Sequence, residues 1–243
     1  MKIFSKLSIA ALAIFAAASA HAEVSVTTGG GYMNMVKELS AAFAKDSGQK
    51  VTENYGGNIG QMMSQVAAGN GANVVISDAG TLKQIKSPVK FSETKTLGTT
   101  PLVLVWRKGL NLQGANDLGK DRVKSFAYPD PKAAVYGRAA KAYLDSRSDL
   151  KGLTGKELKI STVPQVMAYV SKGEVDAGFV NLTAARAGKE KVGGSQIIKE
   201  GYPAIIMVAN VVNGAEKDKD VQAFLKFLDS EKAKAILTKH GIQ

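Results

Sequence analysis

Three consecutive glycines at positions 29–31 form the stretch of this sequence that is best suited to chemistry. They follow an apolar-alternating run at 24–26 and precede a segment with helical periodicity. Glycines leave backbone N–H groups uncovered and let a ligand approach the main chain closely. The helix N-terminus that follows adds unpaired N–H donors and partial positive charge. The stretch therefore predicts a cradle for a small anion, with Thr28, Gly30 and Gly31 as candidate contact residues.

Other site chemistries lack the residues that they need. The chain has no cysteine and only two histidines, His21 and His240, so neither a Ser-His-Asp nor a Cys-His catalytic set is indicated. No histidine or cysteine cluster has the spacing of a metal site, and the glycines lack the third glycine of the dinucleotide-binding fingerprint. An enzyme is therefore disfavoured. A purely structural strand-to-helix turn remains the alternative interpretation of the glycines.

The charge distribution argues against nucleic acid as a partner. The formal net charge is +11, from 32 Lys and Arg against 21 Asp and Glu. The lysines are spread along the chain, are often next to acids as in 216–220, and are not interleaved with aromatic residues. Solvated faces explain them better than a nucleic-acid surface does. A weak positive field is compatible with the attraction of small anions.

The first 22 residues have the features of a secretory leader. Lys2 and Lys6 precede an apolar segment at 7–18, and Ala20-His21-Ala22 has the small-residue pattern of a cleavage site. Cleavage is predicted after Ala22. No later stretch approaches 18 apolar residues, so the product is expected to be free in the periplasm and not embedded in a membrane.

The elements around the glycines alternate between strand and helix. Strand patterns occur at 24–26, 50–55, 74–76, 102–106, 158–161, 176–181 and 202–209. Helical patterns occur at 59–68, 135–146, 164–172, 221–228 and 230–239. This alternation is typical of parallel α/β sheets. Because the strand–turn–helix pattern occurs in two sets, we expect two lobes joined by two crossovers, with 23–102 and 205–243 in the first and 103–204 in the second.

Several segments together carry a family resemblance. They are 55–58, 65–77, 100–105, 129–131, 170–180 and a closing helix that ends at 239–241. In this order the chain resembles the periplasmic molybdate-binding proteins of ABC transporters over nearly its whole length after the leader. The most specific part is 173–180. The resemblance implies the type II periplasmic-binding fold, an α/β architecture of two lobes with mixed, mostly parallel sheets and a cleft between them.

The resemblance also implies a ligand and its contacts. A tetrahedral oxyanion such as molybdate or tungstate would be held by neutral donors, without a metal ion or cofactor. The implied contact residues are Gly31, Asn58, Tyr136, Val163 and Asn181. The chain departs from the family at three of them, because the family usually has serine at the positions of Gly31 and Asn58 and tyrosine at that of Asn181. Gly31 offers only its backbone N–H, whereas each asparagine offers two amide donors.

Two arginines support an alternative ligand. Arg138 and Arg186 each lie within about a turn of a predicted cleft segment, and a guanidinium would favour an organic carboxylate or a phosphate. Surface positions or ion pairs with the other lobe are the alternative for both arginines. In either version, the protein is expected to be a monomer that closes around its ligand and delivers it to an inner-membrane ABC permease.

Overall fold

The structure is a computed structural model that describes residues 23–55, 57–150 and 152–243. The predicted leader lies outside the described residues. Within them, the strands in chain order are β1 (Val24–Thr28), β2 (Val51–Tyr55), β3 (Val74–Asp78), β4 (Phe91–Thr100), β5 (Leu102–Trp106), β6 (Phe126–Pro129), β7 (Glu157–Ile160), β8 (Ala177–Asn181), β9 (Gly194–Ile198) and β10 (Ile205–Val212). The α-helices are α1 (Met33–Ser47), α2 (Ile59–Ala67), α3 (Ala79–Gln84), α4 (Val135–Ser146), α5 (Val163–Lys172), α6 (Leu182–Ala187), α7 (Lys219–Phe227) and α8 (Glu231–Lys239).

The strands form two sheets with the same internal arrangement. The first sheet has the order β2-β1-β3-β10-β4 and the second has the order β7-β6-β8-β5-β9. Three neighbouring strands in each sheet are parallel, and one strand, β10 or β5, runs antiparallel to both of its neighbours. The structure therefore confirms an α/β fold with two mixed sheets. We call each sheet, with the helices packed on it, a lobe.

The chain crosses between the sheets twice. Pro101 alone separates β4 from β5, and residues 199–204 connect β9 to β10. Tyr202 links these crossovers, because its hydroxyl accepts a hydrogen bond from the Leu102 N–H at 2.9 Å and donates to the Ile198 carbonyl at 2.8 Å. The lobe boundaries expected at 102/103 and 204/205 stay a prediction.

Burial explains the central strands and the helix boundaries. All residues of β1, β3, β5 and β8 are buried, as expected for strands covered by helices on both faces. Helix α1 buries an apolar stripe that includes Met35, Leu39 and Phe43 and ends at Gly48, whose φ of 71° is the left-handed conformation of a helix C-cap. Met62 and Met63 lie on the buried side of α2 and pack with Val75 in a small cluster, so they serve as core residues.

Some elements differ from the sequence-based expectation. The patterns did not predict β4, β6, β9 or α3. The late strand begins at Ile205 and extends to Val212 instead of covering 202–209, because Tyr202 and Pro203 belong to the crossover. No helix in the described part of the chain is long and apolar enough to cross a membrane.

Candidate functional site

Five chain segments from both sheets enclose a small cavity of about 40 Å³. The segments are 29–32, 57–59, 77–78, 134–136 and 161–163. Each segment lies at the beginning of a helix: 29–32 and 161–163 directly follow β1 and β7, 77–78 are the end of β3, and 57–59 and 134–136 come a few residues after β2 and β6. The N-termini of α1, α2, α4 and α5 therefore surround one small volume between the lobes. Their partial positive charges favour an anion there.

Most of the predicted contact residues lie on this cavity. The lining includes Gly30, Gly31, Asn58, Tyr136 and Val163. The Gly30 N–H is already used, because it donates to the Gly57 carbonyl at 2.8 Å. In contrast, the backbone N–H groups of Gly31, Tyr136 and Val163 have no acceptor among the described residues, as is common in the first turn of a helix. These three amides are the available backbone donors that we identify for a bound anion.

Asn58 has a structural duty in addition to its place on the cavity. Its side-chain oxygen accepts a hydrogen bond from the Gln61 N–H at 3.1 Å, and the Gln61 side chain accepts from the Asn58 N–H at 3.0 Å. This capping box fixes the beginning of α2. Of the donors expected at this position, only the side-chain amide NH₂ therefore remains for a ligand.

Asn181 supports the glycine turn and does not line the cavity. Its side chain is fully buried, and its oxygen caps α6 by accepting the Ala184 N–H at 2.8 Å. Its amide group donates to the Gly31 carbonyl at 2.5 Å. Asn181 thus connects the second lobe to the turn that carries a predicted contact residue, and it acts here by positioning that turn.

The glycine at position 31 is not required by steric crowding. A Cβ atom at Gly31 would lie 3.6 Å from the nearest atoms of Asn181 and Val163, which is ordinary van der Waals contact. At Gly30, by contrast, a Cβ would lie 3.1 Å from the Gly57 carbonyl oxygen. Because a Cβ atom fits at Gly31, crowding at that atom does not explain why this position lacks the hydroxyl that the family resemblance implies.

Two tyrosines form part of the cavity wall. Tyr32 and Tyr136 are almost fully buried, with ring centroids 5.9 Å apart. The Tyr136 hydroxyl lies 3.2 Å from the Thr100 hydroxyl and forms a hydrogen bond with it. Burial raises the pKa of both phenols well above the ordinary value, so both groups remain protonated near neutral pH. Tyr32 was not predicted as a site residue, because position 32 gave only the signal of a helix start.

A buried ion pair crosses between the lobes beside the cavity. Asp78 lines the cavity, caps α3 by accepting the Thr81 N–H at 2.7 Å, and also accepts from the Thr81 hydroxyl. Arg138, on α4 of the other lobe, has a guanidinium nitrogen 3.6 Å from the Asp78 carboxylate and also donates to the Thr81 hydroxyl. Burial raises the pKa of Asp78, although Thr81 and Arg138 act in the opposite direction. Asp78 was not predicted as a site residue, and the available signal was its position at the end of a segment with a buried-strand pattern.

The remaining candidates lie outside the cavity. Arg186 donates to the carbonyls of Thr238 and Lys239 at 2.8 and 2.7 Å, so it covers the C-terminal end of α8. Thr28 is fully buried, and its hydroxyl has no partner among the described residues. Arg138 is bound to Asp78 and Thr81 as described. The structure therefore gives the two arginines contacts between the lobes.

A wider groove of about 690 Å³ runs along α5 and α6 and shares Gly30, Gly31 and Val163 with the cavity. It is mainly apolar and includes lysines in its lining, and it reaches the N-termini of α1, α5 and the short α6, whereas the cavity is lined by the starts of five helices, α1 to α5. Among the described residues, no group of three or more acids and histidines could hold a metal ion. The small cavity is therefore the candidate site.

Comparison with known proteins agrees with this architecture. The model of the family described as bacterial extracellular solute-binding protein matches residues 24–243. The molybdate-binding protein ModA of Azotobacter vinelandii is 25% identical over 235 residues, which cover 94% of this chain and 92% of that protein. The ModA protein of Rhodobacter capsulatus is 26% identical over 227 residues, covering 92% and 89%.

The fold is also similar to that of a solved structure. The periplasmic molybdate-binding protein of Azotobacter vinelandii superposes with a TM-score of 0.78 at 23% identity, covering 91% of this chain and 99% of that chain. This similarity confirms the two-lobed periplasmic-binding fold.

Proposed function

The chain belongs to the bacterial extracellular solute-binding proteins, and from that premise we propose that it captures a small tetrahedral oxyanion of the molybdate and tungstate class for an ABC importer. The observation that carries this proposal is the cavity between the lobes, where helix N-termini from both sheets converge. The unpaired N–H groups of Gly31, Tyr136 and Val163, which line this cavity, are neutral donors for a bound anion. The two ModA relatives, which are named for molybdate binding, support the ligand class.

The size of the cavity favours a small ligand. Pockets for drug-sized molecules usually measure about 300–1,000 Å³, whereas this cavity measures about 40 Å³. A sugar, peptide or nucleotide would therefore need a different site or a much more open structure. A compact oxyanion needs only a few converging donors.

The available interactions are strong enough for useful affinity. A hydrogen bond to a charged group contributes roughly 1.5–3 kcal/mol, and each helix terminus adds about 0.3–2 kcal/mol depending on burial. Three backbone donors and the Asn58 amide, together with several helix termini, make a dissociation constant below about 1 μM physically reasonable, since that affinity corresponds to roughly 8 kcal/mol.

Transport follows from closure of the lobes. The two crossovers, at Pro101 and 199–204, are the segments about which the lobes can rotate. Closure would bury the anion and present one defined surface to an inner-membrane permease. The protein would act in the periplasm as a monomeric binding protein, and family membership favours binding over catalysis.

A thermal-shift panel tests the proposed ligand class. The purified protein is measured with molybdate, tungstate, sulfate, phosphate and several carboxylates. A ligand at about 100 times its dissociation constant should stabilise the protein by roughly 2.7 kcal/mol, which corresponds to roughly 5–10 °C for a chain of this size. We expect the largest shifts with molybdate or tungstate.

Two outcomes would contradict the proposal. Stabilisation by the carboxylates alone would assign the cavity to an organic anion. A melting temperature that none of the anions raises would remove the support for small-anion capture altogether.

A further inference from the structure

The Tyr32 side chain has a property that the fold alone does not explain. Tyr32 is the last residue of the 3₁₀ turn at Gly30–Tyr32, directly before α1, and it lines the cavity. The residue is 4% exposed, and its hydroxyl oxygen is buried without a hydrogen-bond partner among the described residues. Buried hydroxyl groups nearly always have a partner. Thr28 and Tyr55 also have buried hydroxyls without a partner, but Tyr32 differs from both because it lines the cavity, where a bound ligand can supply the acceptor.

The neighbours of this hydroxyl leave it free to donate. The Tyr136 phenol is close enough to Tyr32 to affect its pKa, but the Tyr136 hydroxyl is paired with that of Thr100 and makes no hydrogen bond of normal geometry with Tyr32. The Asp78 carboxylate is occupied by Thr81 and by the Arg138 guanidinium. Burial, together with the nearby Tyr136 and Asp78, raises the pKa of Tyr32 well above its ordinary value. The phenol is therefore a proton-bearing donor under all conditions near neutral pH.

We propose that the Tyr32 hydroxyl donates a hydrogen bond to the oxyanion in the cavity. This inference rests on the proposed function and adds a contact residue to it. The family resemblance implies side-chain hydroxyls at the positions of Gly31 and Asn181, and neither residue carries one. Tyr32 supplies a hydroxyl from the position next to Gly31, so the site keeps a hydroxyl donor but places it on a different part of the first turn.

The location of this donor has a consequence for selectivity. A neutral phenol in this environment acts as a donor, so it needs an acceptor oxygen on the ligand. A fully deprotonated oxyanion offers acceptors at every oxygen, whereas a protonated ligand oxygen directed at Tyr32 would compete with the phenol proton. The Tyr32 contact therefore favours fully deprotonated oxyanions such as molybdate, tungstate and sulfate.

The test compares two conservative variants. Tyr32→Phe removes the hydroxyl and keeps the ring packing, and we expect the affinity for the best-binding oxyanion of the panel to fall roughly 10- to 100-fold. Tyr55→Phe is the matched control, because Tyr55 also has a buried hydroxyl without a partner but does not line the cavity. Its affinity should stay within about twofold of the unmodified protein. Isothermal titration calorimetry measures both.

The melting temperature without ligand separates a binding role from a structural one. Because the Tyr32 hydroxyl has no protein partner, Tyr32→Phe should melt at or above the temperature of the unmodified protein when no anion is present. Equal affinities of Tyr32→Phe and the unmodified protein would overturn the inference, and so would a clear loss of ligand-free stability. If the unmodified protein binds no oxyanion, both the proposed function and this inference fail. If it binds and Tyr32→Phe binds equally well, only this inference fails.

Discussion

Asp78 and Arg138 give the cavity a charged wall that the family resemblance does not imply. The resemblance led us to expect neutral donors alone, but a buried carboxylate lines the cavity and a guanidinium from the other lobe lies 3.6 Å from it. The pair is close to neutral overall, so it need not repel an anion while it stays intact. A buried ion pair is strongly coupled to its surroundings, because loss of either charge leaves the other without compensation.

The raised pKa of Asp78 predicts a specific dependence of stability on pH. The ordinary value is 3.8, and burial raises it in the folded state. In the pH range between these two values the folded protein binds more protons than the unfolded chain, so stability falls as pH rises through that range. Asp78→Asn cannot titrate but still provides a good N-cap. The free energy of unfolding of Asp78→Asn, relative to the unmodified protein, should therefore increase from pH 4 upward until Asp78 is fully ionised.

Urea denaturation at pH 4, 5, 6 and 7 measures this difference. Asp78→Asn lacks the charge interaction with Arg138 at every pH in this range, and this loss shifts its whole curve of unfolding free energy against pH. The difference in slope between the two proteins therefore reports the titration of Asp78. Parallel curves for the two proteins would show that the Asp78 carboxyl does not carry the expected shift.

The sequence predicted part of the site and missed the rest for a physical reason. Gly30, Gly31, Asn58, Tyr136 and Val163 lie on one cavity, while their binding to an anion stays a prediction. Gly30 and Gly31 had a local signal, the glycine turn, whereas Asn58, Tyr136 and Val163 were implied by the family resemblance. The roles of Tyr32 and Asp78 depend on which residues the opposite lobe brings near them, and no spacing within one segment records that.

At the level of elements, two of the missed strands, β4 and β9, lie at one edge of each sheet. In the described structure, β4 and β9 each pair with a single neighbouring strand, and most of their residues are exposed or only partly buried. The β4 sequence is rich in Thr, Lys and Glu, as is common for edge strands that must not attract other chains. Hydrophobic patterns found the buried strands β1, β3, β5 and β8, but the short buried strand β6 was not predicted. The edge strands β2 and β7 did carry a pattern, whereas β4 and β9 depend more on backbone pairing and their side chains show little of it.

Helix α6 depends on Asn181, which links two elements from different lobes. Its side chain caps α6 and also donates to the Gly31 carbonyl. Asn181→Ala removes both interactions and should lower the free energy of unfolding by about 2–3 kcal/mol, combining the cost of a lost cap with that of a lost buried hydrogen bond. Asn181→Ser keeps a capping oxygen, so it should lose less.

Chemical denaturation of the three proteins gives the comparison. Because Asn181 also positions Gly31, both variants should bind the oxyanion more weakly than the unmodified protein. Equal stability of the alanine and serine variants would mean that the cap contributes nothing. Unchanged affinity in both would mean that the Gly31 turn does not need this support.

For the molecule as a whole, side chains of the second lobe hold the first at several points. Arg138 reaches Asp78, Asn181 reaches Gly31, Thr183 donates to the His240 carbonyl at 2.6 Å, and Arg186 covers the end of α8. Each of these contacts joins a side chain of the second lobe to the first lobe. The sequence could indicate two lobes, but it could not show which contacts join them.

Arg138→Ala should weaken the contact between the two lobes. Removal of the guanidinium leaves the Asp78 carboxylate buried without a counter-charge, which we expect to cost about 3 kcal/mol, at the lower end for breaking a buried pair. Opening of the lobes would hydrate the carboxylate, so the ligand-free variant should show a larger radius of gyration in solution scattering. Arg147→Ala is a suitable control, because its side-chain contacts to Asn116, Tyr143 and Asp149 lie within the second lobe. An unchanged radius for Arg138→Ala would contradict a role of this pair in holding the lobes together.

The position of β10 has a consequence for the order in which the protein is made. This strand lies between β3 and β4, and Met207 pairs with Asp78, yet the entire second sheet precedes β10 in the chain, so β10 is the last strand to emerge, whether from the ribosome or from the membrane during export. Until then the first sheet is split, and the facing edges of β3 and β4 remain unpaired. Pairing between such distant segments is slow, and exposed strand edges invite association with other chains. A product interrupted before residue 205 would therefore be an early substrate for chaperones and proteases.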